Sequence, residues 1–326
     1  MARKYEKGLQ EIGDGIFAYL QPDGSWGWNN AGLVAADGDA VLVDTLFDVK
    51  LTRDMLDEMR RATNTADNIK TVVNTHANGD HCWGNQLVAG ADIIASKAAA
   101  EEMGQVTPQV LANMIKAAPS LGLMGAYVTR IFGAFDFEGI DLTPPNVTFE
   151  GSMTRSVGGK TVELIEVGPA HTKGDILVHL PEDRTIFTGD ILFIGGHPIV
   201  WEGPVQNWID ACDRILEMDV ETIVPGHGPL TDKSGVRQVK DYLIYLREEA
   251  RVRFDTGMSV EEAARDISLG TFSTLSESER VIVNVSTLYR EFSQQEESNN
   301  VPALFAAMAE LAKERGLYGL ADAAQA

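Results

Sequence analysis

Cysteine is almost absent from this chain of 326 residues, which contains only Cys82 and Cys212. Two cysteines so far apart cannot form the disulfide framework that holds small secreted domains together. No segment approaches the roughly 18 consecutive apolar residues of a membrane-spanning helix. The first residues, MARKYEKGLQEIGDGIF, also lack the apolar segment of a signal peptide. These absences predict a cytoplasmic protein that is not inserted in a membrane.

Basic residues are few, because 27 Lys and Arg stand against 48 Asp and Glu and give a formal net charge of -21. A surface this acidic repels the phosphate backbone of nucleic acids and the anionic headgroups of membranes. We therefore expect a small-molecule substrate as the partner, and neither nucleic acid nor a membrane.

Short β-branched and apolar segments bounded by Gly and Asp predict strands, and apolar residues at helical spacing predict helices. Strands are predicted within 15–21, 31–45, 69–75, 91–96, 153–193 and 221–228, with a hairpin turn at 37–40, and helices within 50–63, 97–105, 206–218, 232–257, 259–269, 277–297 and 301–315. Two strand-rich halves flanked by helices predict an α/β protein with two sheets packed face to face and helices outside.

The chain is predicted to divide into an α/β domain over residues 1–230 and a helical extension over 231–326 that packs on it. Residues 106–142 are apolar and nearly free of charge until their end, which predicts a helical insert. The insert could be a lid that supplies an apolar pocket wall, or it could form ordinary core helices or a homodimer contact. The final residues, 319–326, are predicted to fray.

Histidine is scarce, but most of the six histidines fall in polar, Gly-rich turns that follow predicted strands and also contain acids. Such turns hold His76, Asp80, His81, His171, Asp190 and His227. Loops at strand ends are where α/β enzymes place their chemistry. Imidazole and carboxylate are ligands suited to Zn²⁺ and related ions. In an extended segment residues 76 and 78 point to the same side, and Gly79 allows the turn through which one loop could serve two adjacent metal sites.

The order of these motifs resembles the metallo-β-lactamase fold superfamily, from about Gly15 to Gly228. The motifs are LVDT (42–45), THANGDH (75–81), GPAHTKGD (168–175), FTGDILF (187–193) and VPGHG (224–228). The resemblance implies a four-layer αββα sandwich with one or two Zn²⁺ ions at the sheet edges.

Carried over to this chain, the resemblance implies a ligand role for six residues. His76 and His171 match ligands of a first metal, Asp80, His81 and His227 match ligands of a second, and Asp190 matches the bridging carboxylate. Asp44, at the end of LVDT, matches an acid that orients ligands.

Asn78 departs from the superfamily pattern His-x-His-x-Asp-His. An amide oxygen is a weak, neutral substitute for imidazole toward Zn²⁺, so the second site keeps its ligands while the first is depleted. Three arrangements stay open: one metal in the second site, which the ligand count favours, a dinuclear centre with a loosened first site, or Mn²⁺ or Fe²⁺ in the first site. Asn78 could instead donate a hydrogen bond to a substrate carbonyl or oxyanion.

The expected function is a metal-dependent hydrolase that attacks a small, partly apolar ester, lactone, thioester or amide with metal-bound hydroxide. Asp80 or Asp190 is the candidate general base, and Asn78 or the metal the candidate oxyanion stabiliser. One alternative is a non-hydrolytic lyase, decarboxylase or dehalogenase that uses the same metal site. Another is a non-catalytic protein that binds a metal or a ligand.

Tryptophans occur in Gly-rich segments near the motifs, at Trp26, Trp28, Trp83 and Trp201. They predict an apolar wall of a substrate pocket, with simple packing of loops as the alternative. His197 follows Asp190 by seven residues and could reach the substrate side.

Overall fold

The computed structural model describes residues 5–294 and 300–320. Within that range twelve strands form two sheets, and helices lie outside them. This confirms the predicted α/β fold with two packed sheets. Residues 321–326 of the tail that was predicted to fray lie outside the described residues.

The first sheet has seven strands in chain order, β1 to β7. They are β1 Gly8–Gly13, β2 Ile16–Leu20, β3 Ala31–Ala36, β4 Asp39–Val43, β5 Thr71–Val73, β6 Asp92–Ser96 and β7 Val147–Phe149. Strands β1 to β4 are antiparallel, whereas β4 to β7 run parallel. The predicted hairpin turn joins β3 to β4, where Asp37 and Gly38 both have positive φ, as a tight hairpin turn requires.

The second sheet has five strands in the order β12-β11-β10-β9-β8. They are β8 Ser152–Val157, β9 Lys160–Glu166, β10 Ile176–Leu180, β11 Thr185–Phe187 and β12 Thr222–Val224. The prediction of strand up to residue 193 was wrong, because the chain leaves β11 after Phe187 and forms a 3₁₀ turn over Gly189–Ile191. That turn contains Asp190, one of the predicted ligands.

Alternate residues of the strands form the core between the two sheets. In β2, Ile16, Ala18 and Leu20 belong to this inner cluster, while Phe17 and Tyr19 belong to the cluster that includes the helices. The inner cluster also contains Val34, Val41, Val43, Val73, Ile94, Val162, Leu164, Ile176, Val178, Leu180, Phe187 and Val224. Each fully buried aliphatic side chain stabilises the fold by about 1.5–3 kcal/mol, so this layer fixes how the edges of the sheets meet.

Ten α-helices surround the sheets in the described part of the chain. They are α1 Val49–Ala62, α2 Gly79–Cys82, α3 Lys97–Glu102, α4 Pro108–Ala117, α5 Gly122–Phe132, α6 Val205–Glu217, α7 Lys233–Asp255, α8 Val260–Asp266, α9 Val281–Ser293 and α10 Val301–Glu314. The apolar insert is helical, as predicted, and contains α4 and α5. None of the described helices combines the length and apolar composition needed to cross a bilayer.

A buried carboxylate ties the C-terminal helices to the rest of the molecule. Glu279, in the turn before α9, is fully buried. Its Oε1 accepts hydrogen bonds from Trp26 Nε1 at 3.2 Å, the Tyr127 hydroxyl at 3.1 Å and the Tyr318 hydroxyl at 2.7 Å. One side chain thus joins the loop after β2, helix α5 of the insert and the end of the chain.

Replacing Glu279 with alanine is expected to destabilise the protein strongly. Three donors would lose their acceptor, and each unsatisfied buried group costs about 1–3 kcal/mol. The free energy of unfolding should fall by on the order of 3 kcal/mol, and Tm by about 4 °C for a chain of this length. Thermal unfolding followed by circular dichroism measures this. Glu310→Ala, on the exposed face of α10, is the control, and equal Tm values for the two variants would contradict the prediction.

Candidate metal centre

The predicted ligands follow strands of both sheets and meet where those strands end. His76 follows β5, Asp190 follows β11 and His227 follows β12. His171 lies in the loop between β9 and β10, and Asp80 and His81 lie in α2. Because β11 and β12 are parallel, as are β4 and β5, the carboxyl ends of each pair share one sheet edge. The two edges face each other across the inner core.

His76, His171 and Asp190 form one group of donor atoms, all within 4.8 Å of one another. Asp190 Oδ2 lies 3.7 Å from His76 Nε2 and 3.4 Å from His171 Nε2. The three side chains are nearly inaccessible to solvent.

Asp80, His81 and His227 form the second group. Asp80 Oδ2 lies 3.3 Å from His227 Nε2 and 3.9 Å from His81 Nε2. Asp190 is also close, with Oδ1 at 3.1 Å from His81 Nε2 and Oδ2 at 3.5 Å from His227 Nε2. Asp190 therefore lies between the two groups, as expected for the bridging carboxylate that the resemblance predicts.

Hydrogen bonds to the outer ring nitrogens leave each Nε2 facing the centre. His171 Nδ1 donates to the Ile199 carbonyl at 2.7 Å, and His227 Nδ1 donates to the Gly24 carbonyl at 3.1 Å. When each imidazole is neutral, its single proton therefore lies on Nδ1, and Nε2 carries the lone pair. This is the usual way in which a protein orients histidine ligands.

Asp44 orients the other two histidines at once. Its Oδ2 accepts from His81 Nδ1 at 2.8 Å and from the Thr75 hydroxyl at 2.8 Å. The Thr75 oxygen in turn lies 3.0 Å from His76 Nδ1, so the His76 proton points at Thr75. The orienting role of Asp44 agrees with the sequence analysis, whereas the intermediate role of Thr75 was missed, because an isolated threonine carries no signal in the sequence.

Carboxylate charge is concentrated around the second group. Burial alone would lower the pKa of His227, but Asp190 and Asp80 raise it to about 9. Burial lowers the pKa of His171, and burial together with the neighbouring His81 holds the pKa of His76 well below its usual range. The shifts at His227 thus reflect two neighbouring carboxylates, whereas those at His76 and His171 reflect burial.

The donor set fits a divalent metal ion. Ligand atoms about 2.0–2.2 Å from one Zn²⁺ lie roughly 3–4 Å from one another, as the atoms described above do. His76 Nε2 is buried without a hydrogen-bond partner among the described residues, and the buried His81 Nε2 and Asp190 Oδ1, which lie 3.1 Å apart, do not meet with hydrogen-bond geometry. Buried polar atoms are rarely left without a partner, so a cation among them accounts for their arrangement. Zn²⁺, Mn²⁺ and Fe²⁺ all accept imidazole and carboxylate ligands.

A glycine leaves room for the bridging carboxylate. A Cβ at Gly226 would lie 2.0 Å from Asp190 Oδ1 and 2.6 Å from the carbonyl carbon of Gly189. Any larger residue at 226 would therefore displace the Asp190 carboxylate, which explains why glycine precedes His227 in VPGHG.

The sequence model of the metallo-beta-lactamase superfamily matches residues 25–227, more than half of the chain. The chain belongs to the metallo-β-lactamase superfamily. The resemblance inferred from the motifs is therefore confirmed.

Several proteins of known sequence or structure are similar to this superfamily member. A segment of 96 residues, 29% of the chain, is 31% identical to 31% of the beta-lactamase-like protein 2 homolog of Caenorhabditis elegans. A segment of 73 residues, 22% of the chain, is 34% identical to 28% of a hydroxyacylglutathione hydrolase of Hyphomonas neptunium. The matches thus span less than a third of either relative.

Among solved structures, the stereoselective inverting sec-alkylsulfatase of Pseudomonas sp. aligns with 91% of this chain and 52% of its own, with a TM-score of 0.65. At 17% sequence identity, this likeness shows the fold alone.

In this metallo-β-lactamase superfamily member, the four tryptophans that were predicted to form an apolar pocket wall lie in one aromatic cluster. Trp83 stacks on Phe47, Trp28 contacts Phe135, and Trp26 contacts both Phe132 and Trp201. The further rings are Phe137, from the segment after α5, and Phe305, from α10. The cluster reaches the metal centre through Trp201, whose backbone NH donates to the His171 carbonyl at 3.2 Å. The insert and the C-terminal helices therefore both contribute rings to this cluster, in which only Trp28 and Trp201 are partly exposed and the other rings are buried.

Arg280 connects the C-terminal helices to the metal centre and was missed in the sequence. Its guanidinium lies 4.3 Å from the Trp26 ring centroid and 5.2 Å from that of Phe193. Phe193 stacks on the predicted ligand His227, with the ring centroids 5.1 Å apart. Glu277 pairs with Arg280 at 2.8 Å, and burial raises the pKa of Glu277 to about 7 although Arg280 opposes this.

His197 lies among the C-terminal helices rather than among the ligands. Its ring is fully buried and packs edge-on against Tyr242 of α7 at 5.1 Å. Its backbone carbonyl accepts a hydrogen bond from Arg280 at 2.9 Å. The contacts of His197 therefore give no support to a role on the substrate side, because the helical extension covers it.

His197 is expected to make the protein less stable in acid. Burial, together with the charges of Arg280 and Arg315, lowers the pKa of His197 to about 3. An unfolded imidazole has a pKa of about 6.5, so between these values only the unfolded state binds this proton. As pH falls below about 6.5, the free energy of unfolding should decrease by up to about 1.4 kcal/mol per pH unit through this group.

Denaturant unfolding of wild type and His197→Gln from pH 8 to pH 5 tests this expectation. The variant should lose about 2 kcal/mol less than wild type between pH 6.5 and pH 5. Above pH 7.5 the free energies of unfolding of the two proteins should change with pH in parallel, which provides the internal control. Parallel curves over the whole range would show that His197 does not cause the acid sensitivity.

Proposed function

We propose that this chain is a metal-dependent hydrolase of a small, partly apolar ester, lactone, thioester or amide. The observation that supports this most directly is the pair of donor groups sharing Asp190, with Nε2 of every ligand histidine facing the same centre. A divalent ion bound there supplies Lewis acidity and lowers the pKa of a coordinated water toward 7. Asp80, at 13% side-chain exposure, is the ligand most open to solvent and is the proposed acceptor of a proton from the reacting water.

The two partly exposed rings of the aromatic cluster, Trp28 and Trp201, support a substrate with an apolar part. Rings that lie beside a polar reaction centre bind the apolar portion of a ligand and leave the polar group to the ligating residues. One curated relative is named a hydroxyacylglutathione hydrolase, which adds support for hydrolysis and places thioesters among the substrates to be tested. A cytoplasmic location, a small-molecule partner, a possible homodimer and the domain boundary near residue 230 stay predictions.

A substrate panel tests the proposal. The protein is freed of metal with a chelator, reloaded with Zn²⁺ or Mn²⁺, and assayed with aryl and alkyl esters, lactones, thioesters and anilides. Hydrolysis of at least one class, lost on chelation and restored by metal, is the expected result. A metal-loaded protein that hydrolyses none of them would overturn the proposal. Assays for release of carbon dioxide or halide would then test the lyase, decarboxylase and dehalogenase alternatives.

A further inference from the structure

The Asn78 side chain occupies the place from which a further ligand would complete the first donor group. Asn78 Nδ2 lies 2.9 Å from His171 Nε2. Because His171 Nδ1 donates its proton to the Ile199 carbonyl, His171 Nε2 carries the lone pair and accepts from the amide. A metal in the first group would need that same lone pair. The amide nitrogen itself has no lone pair to offer a cation.

The two donor groups are therefore unequal. The first consists of His76 and His171 together with Asp190, which also contacts the second group. The Asn78 amide beside the first group presents N–H groups to it. The second consists of Asp80, His81 and His227 with a share of Asp190. Turning the amide over would present its oxygen, a weaker and neutral ligand than imidazole.

The nearby negative charge and the exposure to solvent also favour metal binding by the second group. The carboxylates of Asp80 and Asp190 face it directly, and Asp44 lies behind His81 at 2.8 Å. The first group has only the carboxylate of Asp190 among its three donors. Its side chains are 0–3% exposed, whereas Asp80 is 13% exposed. An ion in the second group would thus have more charge compensation and lie nearer to solvent and substrate.

We propose that Asn78 limits this protein to a single metal ion, held by Asp80, His81, His227 and Asp190. His76 and His171 then remain uncoordinated, and the Asn78 amide satisfies His171 Nε2 by hydrogen bonding. The inference rests on the metal binding contained in the proposed function, but not on the substrate or on hydrolysis.

Counting the bound metal tests the inference without an activity assay. Metal-free wild type and Asn78→His are titrated with Zn²⁺, and the ions per chain are counted by native mass spectrometry. The expected result is one ion for wild type and two for Asn78→His, because a third imidazole completes the first group. Two ions on wild type would overturn the inference alone. No ion on either protein would overturn the proposed function as well.

A matched pair of histidine variants keeps the test valid if Asn78→His does not fold. His171→Ala and His227→Ala each remove one buried imidazole from one group. His171→Ala should still bind one Zn²⁺ with nearly wild-type affinity, whereas His227→Ala should bind more than about 100-fold more weakly, since loss of an outer orienting partner alone costs 10–100-fold. Equal losses in both variants, or a folded Asn78→His that binds only one ion, would overturn the role of Asn78. Circular dichroism verifies that each variant is folded.

Discussion

Replacing Asp190 with alanine is expected to weaken metal binding by more than about 100-fold and to reduce hydrolysis with it. Asp190 lies within 3.7 Å of the Nε2 atom of all four predicted ligand histidines, so its carboxylate is adjacent to both donor groups. Burial alone would raise the pKa of its carboxyl, but the charges of His227 and His81 hold that pKa well below the usual range. The carboxylate is therefore ionised at neutral pH and available to a cation.

The loss of Zn²⁺ affinity in Asp190→Ala should be larger than for a residue that only orients a ligand, because Asp190 is itself a predicted ligand. Loss of a partner that only orients a ligand weakens metal binding by about 10–100-fold, so loss of Asp190 should exceed about 100-fold. Zn²⁺ titration against a competing chelator measures it. Asp232→Ala, which removes an exposed carboxylate at the start of α7, is the control. Wild-type Zn²⁺ affinity in Asp190→Ala would show that the proposed centre is not where the metal binds.

Replacing Asp44 with asparagine is expected to weaken metal binding by about 10–100-fold without unfolding the protein. Asp44 has a positive φ of 61°, a backbone conformation that asparagine also tolerates. The new amide, however, can present N–H groups to His81 Nδ1 and to Thr75. His81 would then carry its proton on Nε2, where it blocks the lone pair needed by a metal.

A second buried aspartate provides the control for Asp44. Asp48 caps α1, where Oδ1 accepts from the Leu51 NH at 2.7 Å, and asparagine is an equally good N-cap. Asp48→Asn should therefore leave Zn²⁺ affinity unchanged while making the same chemical substitution at a buried site. If Asp44→Asn and Asp48→Asn bind Zn²⁺ equally well, Asp44 does not orient the ligands.

Local sequence patterns predicted most of the secondary structure that is observed. Short apolar, β-branched segments bounded by Gly and Asp located β2 to β6, and helical spacing located α1 and the C-terminal helices, because these patterns depend on neighbouring residues alone. The short edge strands β1 and β7 were missed, since at the edge of a sheet the apolar pattern is weak. The end of β11 was misplaced because the apolar residues after Asp190 continue the pattern while the chain turns.

The sequence by itself determined the superfamily and predicted the candidate metal ligands, because the motifs are short and each donor lies within a few residues of a strand end. Only the tertiary structure decided which side chains meet. Asn78 contacts His171 across 93 residues of sequence, and Trp26 contacts Glu279 across 253. Such contacts depend on how the two sheets and the C-terminal helices pack, so no local pattern encodes them. The placement of His197 among those helices, and the unequal charge of the two donor groups, were decided by the same packing.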